Sequence, residues 1–277
     1  MTIKGKAYIQ GAFEHPTRKA DDKSVAQLHA EVAKGALEDA GLTKNDVDGY
    51  FCAGDAPGLG PLSMADYMGL KLRHVDTTDT GGSSYVIHVA HAAEAIALGK
   101  CSVALITLAG RPRSEGQATG TAPRVPVSAV PDAAFEFPFA PATANMYAMA
   151  AMRHMHQFGT TSVQLAWVKV AASQHAQYNE HAMLREVVTV EDVINSPMIT
   201  DPLHRLDCCV ISDGGGALVV VSPEVARSLR RPRVKVLGAG EAHPKVQVKS
   251  CDVALAHGTG GSLGTRHMSS TLIMERE

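Results

Sequence analysis

The feature that most constrains the fold is an order of elements that occurs twice in the first 110 residues. Apolar residues recur at helical spacing over residues 24–40, a glycine stops the helix, and a short apolar segment follows at 49–53. The order repeats with a small-residue helix predicted over 84–98 and the apolar run SVALITLAG at 102–110. A strand so uniformly apolar is typical of a sheet covered on both faces. The pattern therefore predicts an α/β fold.

The middle of the chain carries a helical pattern. Two long helices are predicted over 142–159 and 161–179, each ending at a Gly or Asn stop. A glycine-rich turn, SDGGG, then precedes a strongly apolar strand at 217–221, and another strand is predicted at 233–240. The last residues predict two strands around a second glycine-rich turn. The sequence thus predicts helical material inserted into an α/β frame between residues 110 and 206.

Composition excludes several classes of protein. The chain has 277 residues, 45% of them apolar, and a formal net charge of −2, which indicates a globular protein without a face committed to nucleic acid. No apolar run has the length of a signal peptide or a membrane span, so we expect a cytoplasmic protein without membrane insertion. The five cysteines form no C-x-x-C pair and the histidines show no metal-ligand spacing, so no metal site is predicted.

The stretch TDTGGSSYVIH, residues 78–88, raises the possibility of an active site. Amides at a helix start are unpaired and carry the positive end of the helix dipole, so they can stabilise an oxyanion. On this interpretation Gly82, Ser83 and Ser84 bind a substrate carbonyl, and Ser83 is the candidate catalytic residue. The alternative is that one serine is an ordinary helix N-cap. The stretch is not the G-x-S-x-G elbow of the α/β-hydrolases.

A second candidate is His257 in LAHGTGGSLG. An imidazole at the end of an apolar strand can act as a general acid or base, and the amides of Gly258 and Gly260 can bind a ligand oxygen. The alternative is a histidine in a plain turn between strands. No sequence argument places Ser83 and His257 within hydrogen-bond reach of each other.

Six blocks of sequence, in this order along nearly the whole chain, resemble the thiolase superfamily. The nearest branch is that of the sterol-carrier and lipid-transfer-protein thiolases, which includes thiolase-like aldolases. The blocks lie at residues 25–55, 80–106, 141–172, 201–222, 233–243 and 252–261. The resemblance implies a layered αβαβα fold of two similar halves, a homodimer, and a place in lipid metabolism. It also implies an acyl-CoA substrate, with coenzyme A as part of the substrate and no permanently bound cofactor, and a small OB-fold, zinc-ribbon partner chain.

On this resemblance, residues 1–110 and 206–232 form the first half, 111–205 a mainly helical insertion, and 233–277 an incomplete second half. The second half has 45 residues, whereas residues 6–110 of the first have 105. Either a partner covers the exposed sheet face, or a segment of the protein after His243 is missing from the chain. These alternatives stay open.

The resemblance also implies the chemistry. Thiolases carry a nucleophilic cysteine where this chain has Ser83, or Gly82 in the alternative alignment, and a second cysteine where it has His257. A serine without a base is a poor nucleophile. Both acyl transfer and retro-aldol cleavage of a C–C bond in an acyl-CoA therefore remain hypotheses. A different class, a non-catalytic thiolase-like subunit that binds a partner chain, is the alternative.

Overall fold

The computed structural model describes residues 2–119, 143–242 and 269–276. The described chain divides into two compact units. The first contains residues 2–114, 213–242 and 269–276, and the second contains 115–119 and 143–212. The predicted sites at His257, Gly258 and Gly260 and the junction after His243 lie outside the described residues.

The first unit is built on a seven-stranded mixed sheet with the order β3-β2-β4-β7-β1-β8-β9. Strand β2 runs parallel to β3 and β4, and every other neighbouring pair is antiparallel. The strands are β1 (Tyr8–Glu14), β2 (Gly49–Phe51), β3 (His74–Asp76), β4 (Val103–Gly110), β7 (Gly214–Val221), β8 (Val234–Ala242) and β9 (Ser269–Arg276). The helices of this unit are α1 (Val25–Ala40), α2 (Pro61–Met68), α3 (Ser84–Ala97) and α7 (Pro223–Ser228).

Strand β4 is covered on both faces, as its apolar run predicts. Val103 and Leu105 pack in the cluster beneath α1, whereas Ala104 and Ile106 pack in the cluster beneath α3. Successive side chains of a strand point to opposite faces, so one strand supplies both layers. The predicted α/β fold is confirmed, and so are the helices predicted near 24–40 and 84–98. The sequence pattern missed α2 and β3, which are short.

Helix α1 approaches strand β1 so closely that glycines are required at the crossing. A Cβ at Gly11 would lie 2.3 Å from the Ala36 carbonyl oxygen, and one at Gly35 would lie 2.4 Å from the Phe13 ring. The Ala36 backbone cannot move away at low cost, and the Phe13 ring packs directly over Gly35, so these two glycines permit the short distance between helix and sheet.

Strands β8 and β9 extend the same sheet. Strand β8 pairs with β1 only at its first residues, Val234 and Lys235, and then pairs with β9 along its length. The predicted strand near 233–240 is confirmed. The assignment of residues 233–277 to a separate second half stays a prediction.

The second unit is mainly helical in its described part. It contains α4 (Thr143–Phe158), α5 (Ser162–Ala176), α6 (Val190–Ile194), and the two-stranded pair β5 (Met198–Thr200) and β6 (Leu203–His204). The Thr161 and Thr189 hydroxyls cap α5 and α6 as N-caps. The helices predicted in this region are confirmed. No helix in the described part of the chain is long and apolar enough to cross a membrane.

The buried carboxylate of Asp213 fixes the points where the chain leaves the first unit and returns to it. It accepts backbone N–H groups of Ala20 at 2.8 Å, Arg113 at 2.8 Å and Ser114 at 3.2 Å, together with the Ser114 hydroxyl. Burial opposes ionisation, but these hydrogen bonds outweigh it and lower the pKa of Asp213. Asp213 is thus held directly before β7. The predicted strand is confirmed, but the predicted glycine-rich turn is wrong, because Gly214–Gly216 are the first residues of β7 and pair with the end of β4.

We expect Asp213→Ala to lower the free energy of unfolding by about 3 kcal/mol, because it leaves several buried N–H and O–H donors without an acceptor. The control Asp22→Ala removes an exposed carboxylate and should cost under about 0.5 kcal/mol. Urea denaturation measures both.

The stability of the protein should also depend on pH through Asp213. Since folding lowers the pKa of Asp213, its contribution to stability is complete above the pKa of the unfolded state. That contribution is lost as the pH falls through the pKa of the folded state. The variant should therefore lose less stability on acidification than the wild type; equal losses would contradict this account.

Candidate active site

The turn before α3 presents an open helix N-terminus. Gly81 has a φ of +72°, a left-handed conformation that favours glycine, and Gly82 is exposed. A Cβ built at Gly82 would meet no other atom within 4 Å, so a ligand can reach the backbone there. Ser83 is the N-cap residue by position, although its side chain makes no capping hydrogen bond.

The two serines have different surroundings. Ser84 is fully buried; its hydroxyl donates to the Gly81 carbonyl at 2.6 Å and accepts the Thr80 N–H at 2.9 Å. That hydroxyl holds the turn together. Ser83 is half-buried, and its hydroxyl donates to the Thr80 carbonyl at 3.2 Å. The structure thus brings Gly82, Ser83 and Ser84 to the helix start, whereas their catalytic or binding roles stay predictions.

Two aspartates position this turn. Asp76 at the end of β3 accepts the N–H and the hydroxyl of Thr78, each at 2.7 Å, and lies 2.7 Å from Nδ1 of His91 on α3. Asp79 accepts the N–H of Gly54 and that of Gly81, each at 3.1 Å. The loop after β2 and the turn before α3 are therefore held side by side.

The side chains that the sequence analysis missed are Asp55 and Tyr85. Asp55 follows β2, where its carboxylate accepts the Tyr85 hydroxyl and, at 2.9 Å, the N–H of Ala109 at the end of β4. Burial opposes ionisation of Asp55, but hydrogen bonds from His29, Tyr85 and Ala109 outweigh it and lower its pKa. Burial, then the neighbouring carboxylate, raises the pKa of Tyr85. Near neutral pH the pair is a carboxylate and a phenol.

Behind Asp55 a buried polar chain crosses to the α1 side of the sheet. His29 of α1 lies with Nε2 3.2 Å from Asp55 Oδ2 and with Nδ1 2.8 Å from the Thr107 hydroxyl. The Thr107 hydroxyl lies 2.7 Å from that of Tyr50. One signal in the sequence was available: His29 lies on the apolar face of α1, beside Leu28 and Val32. A buried histidine on such a face needs a polar partner.

Tyr85 borders an apolar groove of about 380 Å³ over the sheet. Its floor includes Ala12, Ile106, Leu108 and Leu218, and Leu108 is 40% exposed. Glu14 also lines the groove. A groove with mostly apolar walls and a few polar groups at its edge is the usual form of a site for an apolar ligand. Parallel strands β2 and β4 end here beside a helix N-terminus, which is where α/β sheets bind ligands.

Comparisons with known proteins decide the family. No protein-family model matches the chain. The chain is 36% identical over 245 residues to the steroid side-chain-cleaving aldolase of Thermomonospora curvata, covering 86% of this chain and 62% of that protein. It is 33% identical over 254 residues to the 17-hydroxy-3-oxo-4-pregnene-20-carboxyl-CoA lyase of Mycobacterium tuberculosis, covering 86% and 63%. A solved structure, the Ltp2-ChsH2(DUF35) aldolase, superposes with a TM-score of 0.78 at 34% identity, covering 88% of this chain and 63% of that one.

The chain is a thiolase-like protein. The resemblance predicted from six sequence blocks is confirmed, and so is the predicted thiolase-like α/β fold. The thiolase-like chain spans less than two thirds of the length of the relatives it matches.

Cysteine chemistry at this site is limited. Position 83 is a serine, and the nearby Cys52, which follows β2, is fully buried. Burial, with the charge of Asp55, raises the pKa of Cys52 to about 12, so almost none of it is thiolate at neutral pH. Within the described ranges, no three His, Cys, Asp or Glu side chains are grouped to hold a metal ion. Around the start of α3 the described residues thus offer a carboxylate–phenol pair instead of a thiolate.

We expect iodoacetamide to alkylate Cys209 of the native protein at about pH 8 and to spare Cys52 and Cys101. Cys209 is exposed, whereas the other two are buried and burial raises the pKa of each to about 12. Peptide mass spectrometry reads the modification, and denatured protein, in which all three react, is the control. Alkylation of native Cys52 at the rate of Cys209 would contradict the assignment.

Proposed function

We propose that this thiolase-like chain takes part in cleaving a C–C bond beside the thioester of an acyl-CoA, as a retro-aldol lyase. The observation that carries the proposal is the Tyr85–Asp55 pair: Tyr85 lies on the first turn of α3 and borders an apolar groove, and its hydroxyl donates to Asp55. A retro-aldol reaction needs a base for a hydroxyl proton and a site for an enolate oxygen, and it needs no covalent acyl-enzyme.

The pair supplies the base. The Tyr85 oxygen accepts the β-hydroxyl proton of the substrate while its own phenol proton passes to Asp55. The hydroxyl oxygen forms a C=O bond, the bond between the α and β carbons breaks, and its electron pair becomes the thioester enolate. Because the pKa of Tyr85 is raised, both proton transfers occur together, without a free phenolate. The α carbon then takes up a proton, for which His257 is the sequence-based candidate donor, and Asp55 returns its proton to solvent.

The start of α3 supplies the oxyanion site. The amides of Gly82 and Ser83 lie at the positive end of the helix dipole, and the space beside the Gly82 backbone is open. An enolate oxygen carries more negative charge than the carbonyl from which it forms, so these amides stabilise the product side of bond cleavage. Gly258 and Gly260 remain sequence-based candidates for the same task.

The substrate class follows from the groove and from the relatives. The name 17-hydroxy-3-oxo-4-pregnene-20-carboxyl-CoA describes a hydroxyl β to a CoA thioester, which is the arrangement that a retro-aldol reaction requires. The groove beside Tyr85 is apolar and suits a sterol-like body. We therefore propose a β-hydroxyacyl-CoA with an apolar ring system, with coenzyme A bound only as part of the substrate.

The assembly is also a proposal. The solved relative is named as a complex of Ltp2 with a DUF35 chain, and the present chain matches only part of its relatives' length. We propose a homodimer that binds a small OB-fold, zinc-ribbon partner chain and acts in the cytoplasm.

We expect Tyr85→Phe to lower kcat by about 10²–10⁴-fold with little change in KM, because it removes a proton-transfer group. The matched control is Tyr67→Phe, which alters an exposed tyrosine on α2 and should leave kcat unchanged. The assay follows release of the shortened acyl-CoA from a 17-hydroxysteroid 20-carboxyl-CoA, with the full protein and its partner chain.

The variant Ser83→Ala distinguishes retro-aldol cleavage from acyl transfer. A lyase keeps most of its activity in this variant, whereas an acyl transferase loses it and forms an acyl adduct on Ser83 that intact-protein mass spectrometry detects. Such an adduct would overturn the proposed chemistry. Full activity in Tyr85→Phe would show that Tyr85 takes no part in the reaction. Absence of turnover with every candidate partner would instead support the non-catalytic subunit.

A further inference from the structure

We infer that His29 is a positioning residue for the Tyr85–Asp55 pair, that its imidazole is the tautomer with the proton on Nε2, and that Thr107 holds the ring in place. The inference deepens the proposed function and rests on it for its catalytic consequence. The tautomer itself follows from the hydrogen-bond chain alone.

The hydrogen-bond chain of Tyr50, Thr107 and His29 contains few protons, and this limits how its contacts can be made. Tyr50, Thr107 and His29 are all fully buried, so water does not alter the pattern. The Thr107 hydroxyl has one proton and faces two groups, the Tyr50 hydroxyl at 2.7 Å and His29 Nδ1 at 2.8 Å. A neutral imidazole can satisfy the Thr107 contact with Nδ1 as the acceptor or as the donor, and the two cases differ in what Nε2 presents to Asp55.

In the first arrangement every proton points towards Asp55. Tyr50 donates to Thr107, Thr107 donates to His29 Nδ1, and the Nε2–H faces Asp55 Oδ2 at 3.2 Å. In the second arrangement the Nδ1–H donates to Thr107, Thr107 donates to Tyr50, and Tyr50 turns to the Cys52 thiol, a weak acceptor. The lone pair of Nε2 then faces a carboxylate.

Electrostatics decides between them. A lone pair and a carboxylate oxygen at 3.2 Å repel each other in a buried, low-dielectric site, whereas an N–H and a carboxylate attract. His29 Nε2 makes no well-aligned hydrogen bond with any described group, so its contact with Asp55 Oδ2 is electrostatic and its proton has no competing acceptor. The first arrangement therefore prevails, and Thr107 supports it by donating to Nδ1.

This arrangement fixes the orientation of the Asp55 carboxylate. His29 Nε2–H and the Ala109 N–H both approach Oδ2, and this leaves Oδ1 directed at the Tyr85 hydroxyl. The carboxylate can receive the phenol proton without rotating. Loss of the Thr107 hydroxyl removes the hydrogen bond that holds the imidazole ring in place, and the contact between Nε2 and Oδ2 is weakened.

Nitrogen-15 NMR of histidine-labelled protein tests the tautomer directly. His29 is identified as the signal that disappears in His29→Gln. His88 serves as an internal reference, because its Nε2 lies 2.8 Å from the Thr78 carbonyl, which can only accept a proton. We expect His29 to show the Nε2–H pattern of His88. An Nδ1–H pattern in the wild type overturns the inference whether or not the protein turns over substrate.

Variants of Thr107 and Tyr50 test the role of the Thr107 hydroxyl. Thr107→Val keeps the shape of the side chain without the hydroxyl. Because Asp55 still favours a proton on Nε2, we expect the tautomer to stay unchanged. The imidazole loses the hydrogen bond that holds it in place, so kcat should fall by about 10–100-fold, with KM within about 2-fold. Thr107→Ser should restore kcat. Tyr50→Phe should leave the tautomer unchanged, because Thr107 can still donate to Nδ1. An unchanged kcat in a folded Thr107→Val protein contradicts the role of Thr107, even if the wild-type tautomer is as expected.

Discussion

Burial of strand β4 on both faces is the constraint on which the rest of the structure depends. Its alternate side chains anchor α1 on one side and α3 on the other. Its last residues then serve the site, because Thr107 holds His29 and the Ala109 N–H holds Asp55. Immediately after it, Arg113 and Ser114 are held by Asp213. A single rigid strand thus fixes the geometry of groups that are far apart in sequence.

The site contains a partly buried negative charge, which is costly unless several donors satisfy it. Asp55 meets that requirement with a phenol, an imidazole and a backbone amide, and its lowered pKa reflects the balance. The same donors that stabilise the carboxylate also orient it. The same hydrogen bonds therefore keep Asp55 ionised and hold it in position for proton transfer. A variant that removes one of these donors changes both the ionisation and the orientation of Asp55.

The start of α3, where the thiolase resemblance predicts a reactive cysteine, carries Ser83 and no sulfur. The open backbone at Gly82 and the dipole of α3 remain available to an oxygen anion, while the nearby thiol of Cys52 is buried and protonated. A neighbouring carboxylate would raise the pKa of a thiol placed there and weaken it as a nucleophile. The combination suits a reaction in which charge builds up on a substrate oxygen and no acyl-enzyme forms.

Much of the frame could be predicted from the sequence, because helical periodicity and an uninterrupted apolar run are local signals. Helices α1 and α3, strands β4 and β7, and the open turn at Gly81-Gly82 all follow from them. The elements α2 and β3 did not, since three to eight residues carry too little periodicity. The Tyr85–Asp55–His29–Thr107 chain was also invisible, because its members come from four separate segments. Sequence alone determined which faces are apolar; only the tertiary structure decided which polar groups meet, because sheet order and the helix crossing set those distances.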